Sequence, residues 1–282
     1  MELFRSRQPE KDEENREPVF RGAGISDRDV CELSLYAGHI LLENGAELFR
    51  VEDTIHRINR AYGIRSENSF VLSNGIFLTA GSEREQYFAR VQHIPLSSAH
   101  LDRVVAVNQL SREIAQGRHT VYEARAELDR IRQMPEKKKG WKILAAGIGC
   151  GAFCYLFGGT LPDMAAAFLV GVITELMLLF PLNRPMSKIV LNVLCGGLVA
   201  GCSVLFWRLG LGEHLDTIIG GSIILLVPGL AFVIGIRDLG NADYISGMVR
   251  VLDALLIIFS AALGVGVMIS MIHYFTGGML LP

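Results

Sequence analysis

The sequence predicts an α-helical polytopic membrane protein with five transmembrane helices and an N-terminal α+β cytoplasmic domain. Three observations lead there. Charge is divided unevenly along the 282 residues, because positions 1–142 hold 22 of the 27 Lys and Arg and 22 of the 29 Asp and Glu. Hydrophobic residues make up 50% of the chain and mean hydropathy is +0.35, above that of an ordinary soluble protein. The charge-poor half divides into apolar segments, and basic residues gather at alternate ends of them.

The first 25 residues are charged, contain two prolines and lack the apolar core of a signal peptide, which predicts a disordered cytoplasmic tail. A domain follows over 26–136. Ser26 and Asp27 cap a helix with Val30, Leu33, Leu35, Ala37, Ile40 and Leu41, and Asn44-Gly45 offers a left-handed stop. The next helix repeats Leu48, Val51, Ile55, Ile58 and Tyr62 at spacings of three and four, so one face is core. Its other side carries Glu47, Arg50, Asp53, Thr54 and Arg57, where the offsets 47/50, 50/53 and 53/57 allow ion pairs. That face is either a solvated, self-paired surface or a polar cluster for a substrate or another subunit. Two β-branched and aromatic runs then flank Asn74-Gly75, a hairpin signal, and a third strand is expected before Pro95. Two more helices follow, one stopped at Gly117 and one capped by Thr120 and ended by Pro135.

The membrane part, 137–282, opens on Lys137, Lys138, Lys139 and Lys142. Five spans are predicted at about 142–161, 163–182, 188–207, 216–236 and 251–274, each near the ~20 residues that cross a bilayer. With the N-terminal domain inside, the cytoplasmic flanks carry those four lysines, Arg184, Lys188, Arg237 and Arg250, against Arg208 alone outside. The positive-inside rule therefore puts the domain in the cytoplasm of a plasma-membrane protein and the C-terminus outside.

Polar groups within this apolar background are the candidates for function. Pro228-Gly229 interrupts the fourth span, and backbone freed at membrane depth is tolerated only against protein or a water-filled cavity. The bland alternative is a structural kink. Glu175, inside the second span, is costly unless paired, protonated or facing water, which makes it a candidate for proton coupling or substrate contact. Asn192 in the third span and Asp253 at the start of the fifth are weaker candidates. Arg237, Asp238 and Asp243 lie just beyond the kinked span, where Arg237 could hold a substrate carboxylate with Asp238 orienting it, or could serve as one more cytoplasmic anchor.

Other classes find little support. No basic surplus points to nucleic acid. Cys150, Cys154, Cys195 and Cys202 sit in apolar runs as packing residues, Cys31 stands alone, and neither a metal nor another cofactor is implied. The histidines at 39, 56, 93, 100 and 119 fit no metal or triad spacing, and there is neither a Gly-rich phosphate loop nor a nucleophile elbow. A membrane-anchored enzyme and a sensor or scaffold are the competing classes, the first because the cytoplasmic domain is large for a gate.

The segments NGAELFRVEDTIHRINRAYG, VVAVNQLSREIAQG and LLVPGLAFVIGIRDLGNADYISGMVR, in that order and followed by a last span, resemble the threonine/serine exporter family from about Ser26 to about Phe275. The resemblance implies a secondary transporter rather than an enzyme, exporting small polar metabolites such as threonine, serine or a small carboxylate like succinate, with proton coupling. Glu47, Arg50, Glu52 and Asp53 correspond to the family's soluble signature, and Pro228, Gly229, Arg237, Asp238 and Gly247 to its membrane signature. Single-chain members have roughly twice as many spans, so the resemblance also implies a split system. A small multi-span subunit would complete the pathway, with association of like copies as the alternative.

Overall fold

The computed structural model describes residues 19–64, 67–81, 86–94, 100–179 and 186–276. Most of the predicted tail, Pro95, Arg184 and the end of the predicted second span lie outside the described residues. The chain divides at Met134/Pro135 into two units, each with its own core.

In the first unit, α1 (Asp27–Glu43) begins at a capping box in which Ser26 and Asp29 each bond the other's backbone N–H. It ends at Asn44, and Gly45 at φ +81° turns the chain. α2 (Leu48–Ala61) buries Leu48, Val51, Ile55 and Ile58, the predicted core face, together with Thr54 and Asn59. The Ile55 side chain reaches Gly38 of α1, where a Cβ would lie 2.8 Å from Ile55 Cδ1. Strands β1 (Glu67–Leu72), β2 (Gly75–Gly81) and β3 (Gln86–His93) form an antiparallel sheet in the order β1-β2-β3.

The first hairpin turns one residue earlier than Asn74-Gly75 predicts. Leu72 pairs with Gly75, leaving Ser73 and Asn74 as the loop, and neither Asn74 nor Gly75 has a positive φ. Glycine at 75 permits a close approach instead, since a Cβ there would lie a tight 3.2 Å from the Gln92 carbonyl. α3 (Leu101–Ala115) stops at Gly117, φ +77°, and α4 (Val121–Arg132) starts at a second capping box, Thr120 with Glu123. Val71, Ile76, Leu78 and Ala80 on the inner face of the sheet join the buried faces of these helices in one core.

The second unit is helical: α5 (Lys139–Leu156), α6 (Leu161–Leu179), α7 (Lys188–Arg208), α8 (Leu215–Ile223), α9 (Gly229–Gly240) and α10 (Tyr244–Thr276). Among the described residues, α6, α7 and α10 are long and apolar enough to cross a membrane, and α8 with α9 adds a fourth span if the bent pair counts as one. α5 is shorter than the predicted first span and begins with Lys139 and Lys142; Gly158 at φ +92° ends it before residue 161. α10 begins at Tyr244, so Asp253 lies roughly two and a half turns inside the helix rather than at its start. The outward side of α10 is apolar, with Leu252, Leu256, Phe259, Leu263 and Val267 exposed, as expected of a surface whose solvent is lipid.

Small residues bring these helices together. α7 crosses α10 so closely that a Cβ on Gly196 would lie 2.2 Å from the Ala261 carbonyl oxygen, and one on Gly264 2.0 Å from that of Val193. Gly221 of α8 rests against the Cys154 backbone of α5 in the same way. Cys31, Cys150, Cys154 and Cys195 are buried and all five cysteines are free thiols.

Candidate functional site

The break in the fourth apolar segment follows from local chemistry. α8 tightens into one turn of 3-10 helix at Ile224–Leu226, and Val227 is extended (φ -76°, ψ 120°), the conformation that a following proline imposes. Pro228 then starts α9, which leaves at 62° to the preceding helix. Gly229 contributes little to this geometry, because its φ is not positive and a Cβ there would meet nothing within 4 Å. Near the break, the Cys150 thiol points at the Ser222 carbonyl at 3.7 Å, covering one backbone acceptor.

α9 packs on α10 through two glycines. A Cβ on Gly247 would lie 2.8 Å from the Gly235 carbonyl, and one on Gly235 3.1 Å from Arg250 Cβ. This contact buries a charge pair: Asp238, fully buried, faces Arg250 of α10, which is 5% exposed, with Oδ2 to Nε at 3.5 Å. The turn between the helices is held by Asp243 N–H donating to the Asp238 carbonyl at 3.0 Å, with Ala242 in a left-handed conformation at φ 71°.

The candidates fall into two groups. Asp238 and Asp243 belong to this corner, where burial pushes the Asp243 carboxyl above its usual range, whereas Pro228 stands at the opposite end of α9. Arg237 is exposed, on a different side of α9 from Asp238, so the predicted pairing of those neighbours on one carboxylate is not what the helix presents. Arg250, which the charge count treats as a cytoplasmic anchor, is the residue that meets Asp238. Glu175 is half-buried on α6, within electrostatic reach of Lys142 and with no hydrogen bond or ion pair among the described residues. Asn192 donates to the Lys188 carbonyl of its own helix at 2.8 Å, and Asp253 is half-buried on α10.

In the first unit, the signature residues split by direction. Arg50 Nε donates to Glu47 Oε2 at 2.9 Å, and Arg57 pairs with Asp53 while donating to Ser111 Oγ at 3.1 Å, so the 50/53 pair is not formed. Glu52 turns the other way and accepts the Val71 N–H of β1 at 3.2 Å. The histidines are also less isolated than their spacing suggests, since His39, His56 and His119 each meet a glutamate: Glu43, Glu67 and Glu113.

A cluster at the start of α6 carries no obvious signal beyond its Thr160-x-x-Asp163 spacing. Asp163, fully buried, accepts from the backbone of Thr160 (2.9 Å), Glu213 (2.6 Å) and His214 (2.9 Å), from the Thr160 hydroxyl and from His214 Nδ1 (2.9 Å). It pins the α7–α8 loop to α6. The bond to Asp163 raises the His214 pKa above the ordinary imidazole value of 6.5. Its stabilisation is therefore complete below that value and is lost as pH rises through the folded pKa. Thermal unfolding midpoints measured from pH 6 to pH 9 should fall by a margin that His214→Gln lacks; identical profiles would exclude the linkage.

The sequence model of the threonine/serine exporter family matches residues 32–272. Two relatives, from Klebsiella aerogenes and Escherichia coli K12, both carry the name "Probable succinate transporter subunit YjjP". The first is 24% identical over 244 residues, covering 84% of this chain and 92% of the relative; the second is 24% identical over 242 residues, covering 84% and 93%. No solved structure is significantly similar to the chain.

Proposed function

Since the chain belongs to the threonine/serine exporter family, we propose that it is one subunit of a two-component exporter of small carboxylate-bearing metabolites. The observation that carries this reading is the buried Asp238–Arg250 pair beside the broken fourth span. A buried guanidinium facing a carboxylate at 3.5 Å suits the resting state of a carrier group. A substrate carboxylate can take the place of Asp238 on the fork, and Asp238 can reclaim it when the substrate leaves. Threonine, serine and a diacid such as succinate all present that carboxylate, and the relatives' name favours the diacid.

In this reading α5 is a fifth span, its lysines sit at the cytoplasmic surface, and the C-terminus is outside. The half-buried Glu175, with Lys142 in reach, takes up the driving proton. Arg237 is an anchor at the cytoplasmic surface. A small multi-span subunit supplies the remaining helices, consistent with relatives named as subunits.

Efflux of labelled succinate and threonine from cells expressing this chain, with and without a partner encoded beside it, tests the reading. Export that depends on the chain is expected, and no change with both proteins present would refute it. Glu175→Gln should abolish acceleration by an imposed pH gradient while leaving the amount of folded protein unchanged. Full gradient dependence in that variant would remove Glu175 from the coupling role.

A further inference from the structure

The imidazole of His56 is bonded at both nitrogens. Nδ1 lies 2.7 Å from Glu67 Oε1, and Nε2 lies 3.2 Å from Ser69 Oγ. The Glu67 side chain is only 4% exposed, whereas His56 is 40% exposed and Ser69 is half-buried. A carboxylate on Nδ1 holds the proton there and leaves the Nε2 lone pair facing the serine hydroxyl. From that arrangement, we propose that Ser69, His56 and Glu67 form a catalytic triad in the first unit, hydrolysing small esters that carry an anionic group.

Position in the fold supports each role. Glu67, Ser69 and Val71 alternate onto the inner face of β1, an edge strand, with α2 alongside. His56 stands one turn beyond Glu52 on α2, and Glu52 already fixes the helix to this edge through the Val71 N–H. Because Val71 turns its N–H outward from the sheet, Ser69, two residues earlier, turns its N–H outward as well. A backbone donor therefore lies beside the nucleophile, where an oxyanion develops. Glu67 Oε2 is buried with no hydrogen-bond partner among the described residues, so the carboxylate is committed to the imidazole. Arg60, one turn past His56 on α2, acts electrostatically on both His56 and Glu67 and supplies the positive charge for an anionic substrate.

The step balances without a further reagent. Ser69 Oγ attacks the ester carbonyl as His56 Nε2 takes its proton; the tetrahedral adduct collapses, breaking the bond to the alcohol oxygen, which receives that proton. Water repeats the sequence on the acyl-serine and releases the carboxylic acid. The Glu67 hydrogen bond raises the His56 pKa, so the neutral base exists only above that value and turnover should fall as pH drops through it.

The test uses the full chain in detergent. A fluorophosphonate probe should form an adduct that mass spectrometry places on Ser69, lost in Ser69→Ala and reduced roughly a hundredfold in rate by His56→Gln. The p-nitrophenyl monoester of glutaric acid should turn over with a lower KM than p-nitrophenyl acetate, a difference removed by Arg60→Ala. Thermal midpoints of all variants control for folding. Ser69→Cys provides an independent readout, since its alkylation by iodoacetamide should be His56-dependent. No adduct, an adduct at another residue, or labelling indifferent to His56 would overturn the triad. Efflux measured on the same variants is independent of this result, so either proposal can fail alone.

Discussion

Gly264→Ala is expected to be among the most damaging single substitutions in the membrane unit, while Gly266→Ala, two residues along the same helix, should be harmless or mildly stabilising. The added carbon at 264 would sit 2.0 Å from the Val193 carbonyl oxygen and 2.9 Å from Gly197 N. Backbone atoms cannot rotate away as a side chain does, so α7 and α10 must separate. Overpacking costs ~1–3 kcal/mol even where side chains can adjust, and a backbone clash belongs at or above the upper end. At Gly266 nothing lies within 4 Å of the new carbon, leaving the helix propensity gain of alanine over glycine, ~1 kcal/mol at most. Gly196→Ala should resemble Gly264→Ala, because its clash, 2.2 Å from the Ala261 carbonyl, is at the same crossing. The two should be less than additive, since one separation relieves both. Thermal stability in detergent, followed by the fraction that remains monodisperse, distinguishes these cases. Equal midpoints for Gly264→Ala and Gly266→Ala would show that the crossing tolerates an added carbon.

What was readable in the sequence depended on how locally each feature is encoded. Ser26, Asn44-Gly45, Gly117 and Thr120 mark helix ends by chemistry confined to four residues, and the structure uses each of them. Pro228 breaks its span for the same reason: a missing donor and a restricted predecessor are properties of two adjacent residues. The hairpin turns at Ser73-Asn74, one residue early, and Gly75 lies against the Gln92 carbonyl on another strand, a contact that local turn preference cannot see. The family likeness is carried by contiguous motifs, and the family match covers them.

The candidate site was legible only in part. Asp238 is a candidate in the sequence, where it could orient the adjacent Arg237 if that residue is not an anchor, yet neighbours in a helix point about 100° apart and Asp238 faces Arg250. Arg250 was counted as a cytoplasmic anchor, because a charge tally near a span end does not distinguish a solvated residue from one folded against the preceding helix. His56 meets Glu67 and Ser69 across a helix and a strand, and Asp163 meets His214 from 51 residues away. Such convergence depends on tertiary packing, which spacing does not report.

Arg250→Ala should be as damaging to the fold as the glycine variants, and it separates structure from transport at the α9–α10 corner. Removing the guanidinium leaves the fully buried Asp238 carboxylate without the opposite charge at 3.5 Å, a loss of ~3–5 kcal/mol for a buried pair. Arg237→Ala, made at an exposed position on the same pair of helices, should change stability by no more than ~0.5 kcal/mol. The double variant Asp238→Asn with Arg250→Gln removes both charges together, so neither stays buried alone, and most of the stability should return. Efflux should not return with it. A neutral amide pair fills the corner but offers no fork to a substrate carboxylate, and Arg250→Lys, which keeps charge but not the bidentate geometry, should export several-fold more slowly than wild type. Restored folding with efflux still lost would mean that the charges are kept for transport, since a neutral corner packs well enough without them. Full efflux from the amide pair would assign Asp238 and Arg250 to folding alone and send the search for a carboxylate-binding group elsewhere in the membrane unit.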